Sequence, residues 1–348
     1  MDFLYDPALW TVLIFLFLLL IKVPIAISIG IASLAVAWQC DLGLPMTSYN
    51  FFANIAKFPL LAIPYFILAG NIMSRAGIAT RIINLIRISF GKLTGGLAIA
   101  TVIVAAFWGA VSGSPAATVA ALGVILIPGM VDAGYSRPFA TAVVSVSSGL
   151  SSVIPPSIAF IVYGGIADVS VPALFAAGFI PGVVVALFLM ASVLITSRKK
   201  GYRGQPRTMP VSKALREAFW GVMTPVVILG GIYGGVFTPT EAAAVAIFYG
   251  LFVGVFIYRT INKVSILVDV LVESVKSTAV IMFVVTCAGL YAWVASTVGL
   301  VERGASVLLS LSDNPTVLLL LINVILFIAG MLLDAISIYY VFLPFMLP

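Results

Sequence analysis

Residues 172 to 195, PALFAAGFIPGVVVALFLMASVLI, run without a charged side chain. A helix crosses the roughly 30 Å hydrocarbon core of a bilayer with about 20 such residues, so this stretch is long enough to span. Further apolar runs repeat the message: ALWTVLIFLFLLLI, PIAISIGIASLAVAW, PLLAIPYFILAG, GVMTPVVILGGIYGG, AAAVAIFYGLFVGVFIY and AVIMFVVTCAGLYAWVA. With 62% of its 348 residues hydrophobic and 9% charged, the chain has too little polar surface for a soluble protein of its size. It reads as an integral membrane protein. Barrel strands would alternate apolar and polar residues, and these runs do not, so the spans are helices. The opening MDFLYDPALW carries acids and no basic n-region, which makes the first run a retained helix rather than a cleaved signal.

The sequence contains no histidine, which removes His-assisted nucleophilic catalysis and most zinc hydrolase chemistry. Cys40 and Cys287 stand far apart among apolar neighbours and read as packing residues, with neither a disulfide framework nor a transition-metal site. The net charge of +6 sorts by side once the runs are laid as crossings with the N-terminus outside. Lys22, Arg75, Arg81, Arg87, Lys92, Arg137, the cluster Arg198, Lys199, Lys200, Arg203, Arg207, Lys213 and Arg216, and then Arg259, Lys263 and Lys276 fall on one face, with Lys57 and Arg303 opposite. By the positive-inside rule that face is cytoplasmic, and the basic balance reports topology in a lipid bilayer rather than nucleic-acid binding.

Two segments share a pattern, FILAGNIMSRAGIATRIINLIRISF (66–90) and CAGLYAWVASTVGLVERGASVLLSLS (287–312). Each has Ala-Gly in a membrane helix, then Gly77 with Arg81 or Gly299 with Arg303, then an amphipathic stretch. Ser112 stands 35 residues after Gly77, and Asp334 stands 35 after Gly299. The charge map puts the first amphipathic stretch inside and the second, with Glu302, Arg303 and Asp313, outside, so the halves are inverted repeats of the kind that build secondary transporters.

Polar residues collect in two places. TGGLAIATVIVAAFWG and ATVAALGVILIPG flank VSGSPA, and both outer ends are cytoplasmic on the charge map, which predicts a re-entrant helical hairpin over 94–130 with SGSP at its tip. Gly113 permits close approach, Pro115 starts the returning half-helix, and the small Ser112 and Ser114 leave tip carbonyls reachable by an ion. The next helix, 137–163, is interrupted at SSGLSSVIPPS. Pro155 and Pro156 remove amide donors and free upstream carbonyls, while Ser148, Ser151 and Ser152 supply hydroxyl oxygens. Oxygen ligands without full charge suit sodium, and a half-helix beginning at Ser157 would offer free N–H groups to an anionic substrate. Ser-rich patches of small residues also serve close helix packing, but two of them one crossing apart, each with a helix breaker, favour an ion site.

Asp334 sits in a second apolar hairpin entered from outside. A carboxylate at such depth is a functional candidate, with a structural bond to Ser337 as the alternative. FTPTEAAAV has capping-box spacing at Thr238 and Glu241 and reads as a helix start. GIATRIINLIRISFGK reads as a helix lying along the membrane surface. The domain reading is 1–92, scaffold helices and an amphipathic arm; 93–197, the first transport repeat; 198–217, a cytoplasmic linker; 218–313, second-half scaffold and arm; and 314–348, the second hairpin.

AVSGSPAATVAALGVILIP, VIPPSIAFIVYG, ALFAAGFIPG, FTPTEAAA and GMLLDAISIYYVFLPFMLP together resemble the large membrane subunit of tripartite ATP-independent periplasmic (TRAP) transporters, the DctM type, and the resemblance runs along the whole chain. It implies an all-α, polytopic, elevator-type fold of the ion-transporter superfamily in a bacterial inner membrane. It implies sodium-coupled import of organic acids such as C4-dicarboxylates, sialic acid or sugar acids, with no cofactor beyond the coupling ion. Two partners follow from it, a small membrane subunit and a periplasmic substrate-binding protein. Ser112, Gly113, Ser114 and Thr118 match the first hairpin-tip motif, Pro155, Pro156 and Ser157 the unwound helix facing it, and Asp334 the acid of the second hairpin. Sodium is assigned to Ser112, Gly113, Ser114, Ser148, Ser152, Pro155 and Asp334, and substrate to Ser114, Thr118, Pro156 and Ser157. Family members continue beyond the equivalent of Pro348 with a second double-proline helix, so the resemblance implies that a C-terminal part is missing from this chain. A stand-alone sodium/anion carrier is the alternative. An intramembrane enzyme with a Ser112 or Ser114 nucleophile lacks a base, since no lysine lies at membrane depth on this topology.

Overall fold

The computed structural model describes residues 6–204, 206, 209–312 and 314–346; Arg207 and Asp313 lie outside them. In chain order the helices are α1 (Pro7–Leu20), α2 (Ile25–Gln39), α3 (Leu44–Ala53), α4 (Ala62–Arg75), α5 (Ile78–Phe90), α6 (Gly96–Ser112), α7 (Pro115–Asp132), α8 (Arg137–Ser148), α9 (Ile158–Ala167), α10 (Val171–Lys199), α11 (Val211–Tyr233), α12 (Pro239–Phe252), α13 (Val264–Thr297), α14 (Leu300–Leu311), α15 (Pro315–Gly330) and α16 (Ala335–Met346). There is no strand among the described residues. Six helical segments among them are long and apolar enough to cross a membrane: Phe58–Arg75, Pro115–Asp132, Val171–Lys199, Val211–Tyr233, Pro239–Ile257 and Val264–Thr297. The architecture is that of an all-α polytopic membrane protein.

The chain forms two compact units, one of Met1–Leu60, Gly165–Asp168 and Ala279–Pro348, the other of Leu61–Gly164 and Val169–Thr278. In the second, α6 is the central helix and packs on α7, α8 and α10. Leu97, Val102, Met130, Val143, Leu150 and Val193 form its core. Helix α5 buries Ile78, Ile82, Ile83 and Ile86, and it packs on α11 and α6. Gly221 lets α11 come close, since a Cβ there would stand 3.0 to 3.1 Å from Ile78 and Ile82. The apolar face expected to lie on the membrane surface is therefore covered by protein. Helix α10 runs to Lys199 and helix α11 begins at Val211, both inside the 198–217 expected as a cytoplasmic linker; Ala214, Ala218 and Gly221 give the first turns of α11 a buried stripe.

In the first unit α1 packs on α2, and Val36 and Ala37 of α2 meet Leu290 and Val294 of α13. Cys287 is a packing residue, with its Sγ 3.1 Å from where a Cβ on Gly30 would stand. Helix α14, the second amphipathic stretch, has no buried residue.

The sequence repeat has a backbone counterpart. Gly77 (φ 73°, ψ 20°) turns α4 into α5, and Gly299 (φ 72°, ψ 19°) turns α13 into α14. The Gly77 amide donates to the Ser74 carbonyl at 3.0 Å and the Gly299 amide to that of Ser296 at 3.1 Å. A second pair went unread in the sequence. After α1, Lys22 and Val23 donate to the carbonyls of Leu19 and Leu18; after α11, Gly235 and Val236 donate to those of Ile232 and Gly231. The matched arginines hold different groups. The Arg81 guanidinium lies 3.6 Å over the Tyr258 ring, whereas Arg303 pairs with Asp6, which also caps α1 by accepting from the Ala8 amide. Thr238 and Glu241 form the expected capping box at the start of α12.

A side chain in the left-handed region costs about 1–2 kcal/mol. Gly77→Ala and Gly299→Ala should each lower stability by about that amount, seen as a lower thermal midpoint in detergent. Gly77→Ala should cost more, because its methyl would stand 2.7 Å from Arg81 Nη1. Unchanged midpoints would rule out the corner geometry.

Candidate functional site

The two polar stretches of the first half fold against each other. Helix α6 ends where Gly113 takes a left-handed conformation, φ 62° and ψ 5°. Ser114 is extended and caps α7, its hydroxyl accepting from the Ala117 amide, and Pro115 begins the helix. Two residues thus reverse the chain between helices of 17 and 18 residues. Helix α8 stops at Ser148, a 3-10 turn covers Gly149–Ser152, and α9 resumes at Ile158 after a cis bond between Pro155 and Pro156. Pro156 has no amide to give the Ser152 carbonyl. The Ser157 hydroxyl supplies the bond instead, at 2.8 Å.

At the junction, Ser112 Oγ lies 2.8 Å from Thr118 Oγ1, and Thr118 Oγ1 lies 2.8 Å from Ser151 Oγ. Ser112 Oγ also reaches the Ser114 carbonyl at 3.5 Å. One consistent assignment runs the donors from Ser151 through Thr118 and Ser112 to that carbonyl, each hydroxyl donating once and keeping an acceptor lone pair. Ser112, Thr118 and Ser151 are all buried. The Ile158 amide, first of α9, donates to the Gly113 carbonyl at 3.1 Å. The hairpin tip and the helix break are therefore hydrogen-bonded to one another through backbone as well as side chain.

Glycines make the junction possible. A Cβ on Gly109 would stand 2.8 Å from Ser151 Cα, and one on Gly113 3.0 Å from the Pro156 carbonyl oxygen. On α10, Gly178 faces the Val153 carbonyl at 2.6 Å from its would-be Cβ, and Gly182 faces Ile154 at the same distance. These glycines, one helical turn apart, let α10 lie directly on the unwound segment.

The expected site residues fall into three groups. Ser112, Gly113, Thr118, Pro156 and Ser157 meet at the junction, with Pro155 and Ser152 on the adjoining backbone, and Ser114 half-buried beside it as the α7 cap. Ser148 is buried but donates back to the Val144 carbonyl of its own helix at 2.7 Å. Asp334 belongs to the other unit, where it heads α16. Its carboxylate accepts from the Ile336 amide at 3.1 Å and from the Ser337 hydroxyl at 2.5 Å. The bond to Ser337, raised as the alternative role for this acid, is thus present. Of the serines in the break, Ser151 is the one that joins the hydroxyl row; its serine-rich segment was the only signal in the sequence, because Gly109 brings it into place from a distant position.

Thr118→Val removes the middle of the row and leaves two buried hydroxyls short of a partner, a loss of about 1–3 kcal/mol. Gly109→Ala should cost a similar amount through overpacking. Gly129→Ala, where a Cβ meets nothing within 4 Å, should be neutral or stabilising. Unfolding in a denaturing detergent titration measures all three, and a Gly109→Ala protein as stable as Gly129→Ala would contradict the close approach.

Residues 12–348 match the family model described as tripartite ATP-independent periplasmic transporter, DctM component. The chain is 38% identical over 300 residues to the isethionate TRAP transporter permease protein DctMQ of Oleidesulfovibrio alaskensis, covering 85% of this chain and 47% of that protein. It is 35% identical to the sialic acid TRAP transporter large permease protein SiaM of Vibrio cholerae, covering 88% and 72%. It is 40% identical to the C4-dicarboxylate TRAP transporter large permease protein DctM of Pseudomonas aeruginosa, covering 85% and 70%. The chain thus spans less than half of the first relative and about 70% of the other two. It belongs to the DctM component family of tripartite ATP-independent periplasmic transporters, a family of membrane permeases and not of enzymes.

Proposed function

We propose that this chain is the transport-bearing part of a sodium-coupled importer of organic acids in a bacterial inner membrane, with its N-terminus periplasmic. The observation that carries the reading is the buried row Ser112, Thr118, Ser151 beside the Gly113 carbonyl. It gathers neutral oxygens where two helices break, which is how a monovalent cation is held at membrane depth without a full counter-charge. Sodium takes its ligands from the tip residues Ser112, Gly113 and Ser114 and from the break at Ser148, Ser152 and Pro155. The anionic substrate lies against Ser114, Thr118, Pro156 and Ser157. Donation of the Ile158 amide to Gly113 narrows the part of α9 left for the substrate to the amides that follow it. Asp334, at the N-terminal pole of α16, contributes the negative charge of a second cation site.

The substrate class rests on the relatives, whose names specify isethionate, sialic acid and C4-dicarboxylates, organic acids all. A small membrane subunit and a periplasmic binding protein complete the assembly. The mechanism is of the elevator type, with the site exposed alternately to the two sides.

Uptake into proteoliposomes by the permease with its small subunit tests this. Accumulation of an organic acid should require an inward sodium gradient and the binding protein, and Asp334→Asn should weaken the sodium dependence. Uptake without a sodium gradient removes the coupling. Uptake without the binding protein makes the chain a stand-alone carrier, and an unaltered sodium response in Asp334→Asn leaves that acid a helix cap.

A further inference from the structure

Helix α6 has 17 residues, about 25 Å, and the end away from the hydroxyl row begins without a side-chain cap. Gly95, left-handed at φ 71°, holds the N-cap position, where a serine, threonine or aspartate would set an oxygen on the first amides. The Gly96 amide is given to the Leu93 carbonyl and the Ile99 amide to that of Gly95. Two hydroxyls from other parts of the same unit come to this turn instead. Ser197, in the last turn of α10, puts its Oγ 2.9 Å from where a Cβ on Gly95 would stand. Tyr135, between α7 and α8, brings its hydroxyl beside the backbone of Ala98 and Leu97: burial raises its pKa, and those N–H groups pull it back. Tyr135 is 3% exposed and Ser197 0%. Among the described residues, theirs are the two buried side-chain oxygens with no hydrogen-bond partner.

Each of these groups has a proton to give, and what the turn lacks is an acceptor. A helix start also favours negative charge. In the segments that frame it, 91–96, 130–137 and 197–204, the charged residues are Lys92, Arg137, Arg198, Lys199, Lys200 and Arg203 against Asp132, all of them exposed. The connection after α10 closes over the turn. The Tyr202 ring lies 4.3 Å from that of Tyr135, its hydroxyl donates to Ser136 Oγ at 3.1 Å, and a Cβ on Gly204 would stand 2.1 Å from the Lys92 carbonyl oxygen. So closed a place suits a monatomic ion, and a water there would bring protons that need acceptors of their own. We infer that the first turn of α6 binds a small anion of chloride size, held by the Tyr135 and Ser197 hydroxyls and the Leu97 and Ala98 amides. This site is separate from the one at the hairpin tip and does not rest on the proposed function.

Thermal unfolding of the purified chain in detergent, with sodium chloride titrated into sodium sulfate at constant sodium, tests the assignment. The midpoint should rise with chloride and saturate, and sodium bromide should act alike. Tyr135→Phe and Ser197→Ala should each raise the concentration for half the effect about tenfold or more. Ser89→Ala, whose hydroxyl is tied to the Leu85 carbonyl at 2.8 Å, should leave it unchanged. A chloride response that survives either of the first two variants places the anion elsewhere and overturns the inference, as does an equal shift in all three. No chloride response in the unaltered chain overturns it too, and the variants then report what the hydroxyls do: midpoints lowered by both removals mean a bridging water, and unchanged or raised midpoints mean no ligand at all. Should one variant fail to fold, the other carries the test.

Discussion

The hydrogen bond from the Ile158 amide to the Gly113 carbonyl joins the turn between α6 and α7 to the break between α8 and α9. Inside a bilayer an unpaired peptide group costs several kcal/mol, so a helix that breaks there needs partners for the groups it frees. The hairpin tip and the Pro-Pro segment answer each other's needs. The Ser157 hydroxyl replaces a bond that Pro156 cannot make, and the hydroxyl row closes the remaining gap between α6, α7 and the 3-10 turn. Packing follows from that requirement: Gly109 on one side and Gly178 with Gly182 on the other are the positions at which neighbours must approach to backbone distance.

Much of this was legible in the sequence, for local reasons. Gly-Ser-Pro and Pro-Pro break helices wherever they stand, so the tip and the interruption could be placed from the letters alone. Thr238 and Glu241 carry their capping geometry in their spacing, and the Gly-to-Arg interval marked both corners. What escaped the reading depends on partners far along the chain. The periodicity of α5 gave its apolar face but not what covers it, and α11 rather than lipid does so. Ser151 could not be ranked above Ser148 and Ser152, because its place is set by Gly109. Lys57 looked like one of two charges on the minority face, and nothing near it in sequence announces its bond to the Gly165 carbonyl, more than a hundred residues away.

Asp334 and the Ser112 row present their oxygen atoms differently. The row distributes negative potential over several oxygens that hold no formal charge. Asp334 concentrates it in one carboxylate and offsets that charge with an amide and a hydroxyl from the helix it begins. Ser112, last in α6, and Asp334, just ahead of α16, stand at the same interval from their glycine corners and yet differ in place and chemistry.

The glycine corners at Gly77 and Gly299 put that freedom on a structural footing. Their dihedral angles agree to within one degree although one arm is packed under α11 and the other has no buried residue. A bend that needs no side chain of its own takes nothing from its surroundings, so each arm leaves its helix in the same local direction whatever it lies against. Duplication of such a joint carries the geometry into a new setting intact, and the groups that steady it, an aromatic ring for Arg81 and a carboxylate for Arg303, are then open to replacement one at a time.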